Sequence, residues 1–269
     1  MVKVGIIGCG TIGSALARAI EKKFRNVARL TYVSDINPAQ IQKLRKKIPH
    51  SRFQTISTPQ LIRKSDLIVE TASVGAAAQA VPLALRQAKD ILARSVGGLV
   101  QIPNLTQLLS KAKGNLYLAS GAIAGIDAVL GTKTGQIQSV RITTRKPLKS
   151  FRSAPYFEKR KHLLKKIKKP TLIFQGNATQ AIRNFPENVN VAVTLSLAGI
   201  GPQRTRVRIF TSPNYRYNMH EIEIKSRFGR IITQVINLPS RENPKTSALA
   251  IGSAVATLEK IFNRLKIGT

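Results

Sequence analysis

An α/β protein in two parts is predicted: an N-terminal doubly wound parallel sheet, then a smaller α+β unit built on a mixed sheet. Three observations carry the prediction. Strand and helix signals alternate through the first half, the pattern of a parallel sheet covered on both faces. The stretch VKVGIIGCGTIG (Val2–Gly13) runs from an apolar segment into glycines spaced G-x-G-x-x-G at Gly8, Gly10 and Gly13. From Gly135 onward strand signals become denser and more alternating. The first half therefore reads as Rossmann-type.

The glycine stretch organises the chain. A buried strand, a glycine turn and a helix start in that order cradle a phosphate. Gly8 allows the tight turn, Gly10 lets the backbone approach a pyrophosphate, and Gly13 lets helix and strand pack closely. Thr11 and Ile12 open the helix between the second and third glycines. Asp35 ends a second apolar stretch, Leu30–Ser34, 22 residues past Gly13, near the spacing expected of a ribose 2′-hydroxyl acceptor. A carboxylate there favours NAD over NADP, because it repels a 2′-phosphate.

Further along, Asn37-Pro38 opens a helix over 39–47, with Pro at its favoured early position. A short strand at Thr55 and a helix start at Thr58-Pro59 follow. Asp66–Glu70 is a buried strand leading into the Thr71–Gly75 loop. Residues 76–88 read as a helix despite Pro82, and 91–96 as a strand ending at Gly97-Gly98. Residues 107–113 read as a helix, and Leu116–Ala119 as a strand entering Ser120–Gly125. In an open parallel sheet, ligands sit beyond the carboxyl ends of the strands. That puts Gly8–Gly13, Ala72-Ser73, Ser95–Gly98 and Ser120–Gly125 on one rim, all made mostly of small residues.

In the second half, strands are expected at 139–145, 171–174, 204–210, 220–224 and 228–237, and helices at 178–184 and 189–197. Arg204, Arg206 and Arg208 alternate, so they share one strand face. A last helix over 247–265 carries an apolar stripe of Leu249, Ile251, Ala254, Leu258, Ile261 and Phe262, expected to pack on the first domain. The domains are thus 1–133 with 245–269 for the dinucleotide and 134–244 for the substrate.

Composition narrows the function. The chain has 269 residues, 43% apolar, with no apolar run of membrane-spanning length, and a cytoplasmic protein is expected. Cys9 is the only cysteine, which rules out an internal disulfide; between two motif glycines it reads as packing. His50, His162 and His220 lie far apart, so no metal site is expected. The net charge of +32 is spread along the chain and densest over 159–169. No nucleic-acid-binding signature accompanies that segment, which reads as a solvated basic helix, and no nucleic-acid partner is expected.

A nucleotide-binding half joined to a mixed-sheet half implies a dehydrogenase. The cofactor carries the hydride chemistry and the protein supplies a proton acceptor. Among the candidates His162, Glu158, Glu187, His220, Glu221 and Glu223, His220 suits proton exchange near neutrality, with an ordinary pKa of about 6.5. Pattern alone is equally compatible with a structural histidine.

The chain resembles L-aspartate dehydrogenases of archaea and bacteria over nearly its whole length. The resemblance is carried by 8–13, 66–73, 95–98, 120–127, 143–147, 185–192, 195–199, 218–222 and 243–247. It implies that Ala124 and Asn190 contact the dinucleotide and that His220 is catalytic; Gly8, Gly10, Thr11, Ile12, Gly13, Asp35, Ala72 and Ser73 are the cofactor contacts expected from the glycine motif and the rim. It implies oxidation of L-aspartate to iminoaspartate with NAD or NADP as an entry to NAD biosynthesis. The product passes to quinolinate synthase or hydrolyses to oxaloacetate and ammonia, and a homodimer is expected. A dicarboxylic substrate calls for a basic site, with Arg145, Lys146, Lys245, Thr246 and Ser247 as candidates. The positive charge, and a long basic segment over 149–170, depart from the family pattern. Competing readings are a homoserine dehydrogenase or dihydrodipicolinate reductase relative, or a dinucleotide-sensing protein that binds nucleic acid.

Overall fold

Strand β1 (Val2–Ile7) is buried from Val4 onward and pairs in parallel with β2 (Ala28–Ser34) on one side and β4 (Leu67–Glu70) on the other. This is a computed structural model, which describes residues 1–158, 161–238, 240 and 246–268, with the backbone alone at Lys161. Around β1 the sheet is completed by β3 (Gln54–Thr55), β5 (Asp90–Ala93) and β6 (Leu116–Leu118) in the order β3-β2-β1-β4-β5-β6, all parallel. The order reverses between β1 and β4, the switch point where doubly wound sheets bind dinucleotides. The crossings are α1 (Thr11–Lys22), α2 (Pro38–Lys47), α3 (Thr58–Lys64), α4 (Val74–Arg86) and α5 (Leu105–Lys111).

Two local departures from the sequence reading have a physical cause. The strand expected over 91–96 stops at Ala93, and Val96–Gln101 forms a 3-10 turn. Gly98 there lies so close to α4 that a Cβ would sit 2.3 Å from the Val74 carbonyl oxygen, so the chain turns to follow the helix instead of extending.

The second unit holds a five-stranded mixed sheet. Its strands are β7 (Ile137–Pro147), β8 (Thr171–Asn177), β9 (Arg206–Ser212), β10 (Asn218–Ser226) and β11 (Gly229–Asn237), in the order β11-β10-β7-β9-β8. Only β7 and β9 are parallel. Helix α6 (Ile126–Thr132) precedes them, α7 (Pro155–Glu158), α8 (Lys161–Lys166), α9 (Ala178–Asn184) and α10 (Asn190–Ala198) join its strands, and α11 (Ala248–Phe262) follows the last of them. Val140 and Ile142 of β7, Val207 and Ile209 of β9, and Ile222 and Ile224 of β10 are buried, which marks one covered face. Arg206 and Arg208 alternate with the buried pair and share the other face, while Arg204 precedes the strand.

The compact units are 1–119 with 254–266, and 120–253 with 267–269. The boundary expected at 133/134 moves to 119/120 because 120–133 is bound into the second sheet's unit. Asn237 Nδ2 donates to the Ala122 carbonyl (3.0 Å), Thr233 Oγ1 donates to that of Ala124 (3.2 Å), and α6 packs on α10. The start of α11 belongs there too, since the Ala248 N–H donates to the Leu238 carbonyl. From Ala254 on, the helix is part of the first unit. Ala254 and Leu258 are fully buried in its core, and Phe262 meets Phe24 at 5.3 Å between ring centroids.

The basic segment is anchored by rings. Phe151, Tyr156, Phe157 and Phe174 surround the buried Phe185 at centroid distances of 5.8, 5.1, 6.3 and 5.5 Å, while His162, Lys165 and Lys166 are exposed. Truncating the central ring leaves a void among four others. Phe185→Ala is expected to destabilise the second unit by about 3–5 kcal/mol, read from urea unfolding. A change under about 1 kcal/mol would show that the cluster is incidental.

Candidate active site

The glycine turn performs three different tasks. Gly8 has φ +92°, and a Cβ there would lie 2.7 Å from the Ala72 backbone. A Cβ on Gly13 would lie 1.9 Å from the Gly8 carbonyl oxygen, so only glycine lets α1 start so close to β1. Gly10 faces open space, with nothing within 4 Å of a Cβ. The first turn of α1 has no side-chain cap and no acidic residue. Its N–H groups at Thr11, Ile12 and Gly13 are therefore available to an anion such as pyrophosphate.

Asp35 stands against this turn. Its carboxylate accepts the Cys9 N–H at 2.6 Å and the Asn37 N–H at 2.8 Å, which fixes it at the end of β2. Burial, and secondarily the Asp35 charge, push the Cys9 thiol up to about 12, so it is no nucleophile. Across the turn, Ala72 and Ser73 are exposed after β4, and Ser73 Oγ caps α4 by accepting the Ala76 N–H at 3.1 Å. Their loop is held by Glu70, which is buried and accepts from the Ala72 N–H (2.8 Å), the Ser95 N–H (3.0 Å) and Ser95 Oγ (2.9 Å). Sequence reasoning placed Glu70 in a strand and missed this clamp. An open Gly10, a sterically required Gly13 and a positioned Asp35 fit a dinucleotide.

In the second unit, Ala124 precedes α6 and Asn190 opens α10, and these helices pack on each other. His220 is 2% exposed on the covered face of β10, two residues after the strand's start. It pairs in register with Thr144 of β7, whose hydroxyl lies 3.0 Å from Nδ1. Lys146 follows on the same face of β7. It is 6% exposed, and its ammonium donates to the Asn188 carbonyl at 3.3 Å. Among the described residues no carboxylate lies against it. Burial lowers the Lys146 pKa to about 8. Burial and then the Lys146 charge drive His220 down to about 3. The expected proton exchange near neutrality is therefore not a property of the free site: both effects disfavour the imidazolium.

Two asparagines complete the wall. Asn218 and Asn237 are opposite in register and buried. Asn237 Nδ2 is engaged by Ala122, and Asn218 Nδ2 lies 3.4 Å from Ser247 Oγ. Among the described residues each Oδ1 is buried with no donor. A buried acceptor left unsatisfied is costly, so a ligand N–H group suits this place.

Of the substrate candidates, Lys146 lies on the sheet face that carries His220, and Ser247 lies against Asn218 of that face. Thr246 adjoins Ser247, and Lys245 lies outside the described residues. Arg145 is placed elsewhere. It alternates with Thr144 and Lys146, so it projects from the other sheet face, where it bonds Glu221 at 3.2 Å and lies over Phe210. It cannot reach a ligand beside His220 without leaving its strand. Among the described residues no cluster of three or more His, Cys, Asp or Glu side chains is placed to hold a metal, and no helix is long and apolar enough to cross a membrane.

A family profile for the C-terminal domain of aspartate dehydrogenase matches residues 127–261, and one for the NAD-binding domain of homoserine dehydrogenase matches 8–118. The L-aspartate dehydrogenases of Methanosarcina barkeri and Methanosarcina mazei are each 42% identical to the chain over the whole of both sequences. The crystal structure of aspartate dehydrogenase from Thermotoga maritima superposes with a TM-score of 0.70 over the whole of both chains at 24% identity, a likeness of fold.

Proposed function

The chain belongs to the L-aspartate dehydrogenase family, and we infer that it catalyses the NAD-dependent oxidation of L-aspartate to iminoaspartate. The observation that supports this best is the placing of His220 and Lys146 on one buried sheet face, on the adjacent strands β10 and β7. It joins a neutral imidazole to a cation that has no carboxylate partner among the described residues. Asn218 and Asn237 add acceptors for an amino group.

When bound, NAD takes up the hydride released from the substrate Cα. Gly8, Gly10, Thr11, Ile12 and Gly13 would hold it at its pyrophosphate, and Asp35 at a ribose. Ala72, Ser73, Ala124 and Asn190 are further contacts. The side chains of the second unit act on the substrate. His220 accepts one proton from the substrate ammonium, directly or through a water. The freed nitrogen lone pair forms the C=N bond as the Cα–H electrons leave, so the products are a protonated imine, the reduced cofactor and one proton. Thr144 holds Nδ1 and thereby presents Nε2 for that proton. Asn218 Oδ1 and Asn237 Oδ1 orient the nitrogen.

The imine then passes to quinolinate synthase or hydrolyses to oxaloacetate and ammonia, as an entry to NAD biosynthesis in the cytoplasm. The chain works as a homodimer. The uncovered face of the second sheet supports this, because Ile232 and Ile236 lie exposed there beside internally paired charges: Glu223 with Arg141 and Arg230, and Glu221 with Arg145. Light scattering in solution tests it, and a monomer at micromolar concentration would sink it.

The test of the activity is NADH formation from L-aspartate, with glutamate, alanine and homoserine as controls. Turnover specific for aspartate and little changed between about 50 and 200 mM salt is expected. Cofactor binding without turnover of any amino acid would overturn the assignment. Asp35→Ser is expected to lower the NAD-to-NADP ratio of kcat/KM at least about tenfold, since it removes both a 2′-hydroxyl acceptor and a repulsive charge. An unchanged ratio would exclude Asp35 from cofactor choice.

A further inference from the structure

We propose that the Lys146 ammonium is the receptor for a carboxylate of the substrate, and that the ion pair so formed completes His220 as the proton acceptor. The proposal rests on the aspartate-oxidation reading and adds where the substrate is held and how the base is made ready.

Lys146 is buried on the covered face of β7, and among the described residues its one hydrogen bond is to a neutral carbonyl, that of Asn188 at 3.3 Å. The acids of the neighbouring strand project from the opposite face and are already held: Glu221 by Arg145, and Glu223 by Arg141 and Arg230. A buried charge without a counter-charge is among the more costly arrangements a protein interior can hold. A fold that maintains one beside a reactive histidine leaves a place for an anion.

The same ammonium bears directly on His220. From β7 the imidazole is faced by Thr144 and Lys146, from β10 by Asn218 and Ile222, and from β11 by Val235 and its neighbours Thr233 and Asn237. Among these only Lys146 is charged, and its field opposes the imidazolium. A carboxylate seated on Lys146 cancels that field, the smaller of the two causes that hold the ring neutral, and adds a negative charge that works against the larger one, burial. The substrate thus brings with it the charge that makes proton transfer favourable. Without it the histidine stays neutral and inert.

Succinate is the probe, because it presents carboxylates but has no amino group to oxidise. Calorimetric titration into the NADH-saturated protein should show binding that weakens as pH rises, below about pH 8 in proportion to the proton taken up at His220 and more steeply above it, as the ammonium also loses its proton. At pH 7 the binding heat should depend on buffer ionisation, reporting proton uptake. His220→Ala should remove most of that uptake and keep the binding.

Lys146→Met should weaken succinate binding at least about a hundredfold and abolish its pH dependence, while Lys146→Arg, which keeps the charge, should restore a large part of the affinity. If the methionine variant does not fold, the arginine variant and the wild-type pH dependence decide alone. Succinate affinity within about twofold of wild type in Lys146→Met, or pH-independent binding in the wild type, would overturn the receptor. Loss of kcat with KM and succinate affinity unchanged would make Lys146 itself the proton acceptor, and would overturn it equally. Failure of the activity reading looks different: succinate then binds through Lys146 in a protein that does not oxidise aspartate.

Discussion

Replacing His220 by alanine is expected to lower kcat for L-aspartate by about 10²–10⁴, the range for a lost acid–base group. NADH binding should be unchanged, because the glycine turn and Asp35 belong to the other compact unit. The fold should survive, for among the described residues the imidazole makes one side-chain hydrogen bond, to Thr144 at 3.0 Å. An unpaired Thr144 hydroxyl costs about 1–3 kcal/mol, and the space left by the ring adds to it. The measurement is steady-state turnover beside a melting curve and an NADH titration. Loss of turnover with cofactor affinity intact places His220 in the chemistry. Survival of more than about a tenth of the turnover would remove it from the mechanism and return it to the role of a buried structural histidine.

That His220 and Lys146 share a buried face was only partly legible in the chain. The alternation of β7 carries the signal: Val140, Ile142, Thr144 and Lys146 share a parity, and the first two are the apolar residues that must face a core. By the same rule Arg141, Thr143 and Arg145 face away. Naming Arg145 beside Lys146 as substrate ligands therefore overlooked that neighbours on a strand point apart. In β10, Asn218 and His220 share the parity of Ile222 and Ile224 and could have been assigned to the covered face. What no pattern carried was the meeting of these faces across 74 positions of chain (His220 minus Lys146). The downward shift of the histidine depends on that meeting, because desolvation and the lysine's field are properties of the folded environment. The domain boundary was hidden for a similar reason. Ser120–Gly125 reads as a loop after a strand, and only its bonds to Asn237 and Thr233 assign it to the second unit.

The first unit was legible because its constraints are local, and two glycines make a test of that. Gly10→Ala and Gly13→Ala are expected to abolish NAD binding by different routes. At Gly10 the added methyl meets no protein atom within 4 Å, so folding should be untouched, with unfolding free energy within about 0.5 kcal/mol of wild type. The methyl would instead occupy the space where a pyrophosphate approaches the backbone, and NADH affinity should fall at least about a hundredfold. At Gly13 the methyl would lie 1.9 Å from the Gly8 carbonyl oxygen and 2.7 Å from Thr71 Oγ1. Helix α1 must then move off β1 and the turn must open. The hydroxyl of Thr71, which donates to the Gly8 carbonyl at 2.7 Å, loses its place as well. Overpacking of this kind costs about 1–3 kcal/mol or more, so Gly13→Ala should lower stability and affinity together. Equal stability in the two variants would mean that the close approach of helix and strand is not what requires glycine at 13. A Gly10→Ala protein that binds NADH normally would place the pyrophosphate away from this turn, and with it the assignment of the cofactor site.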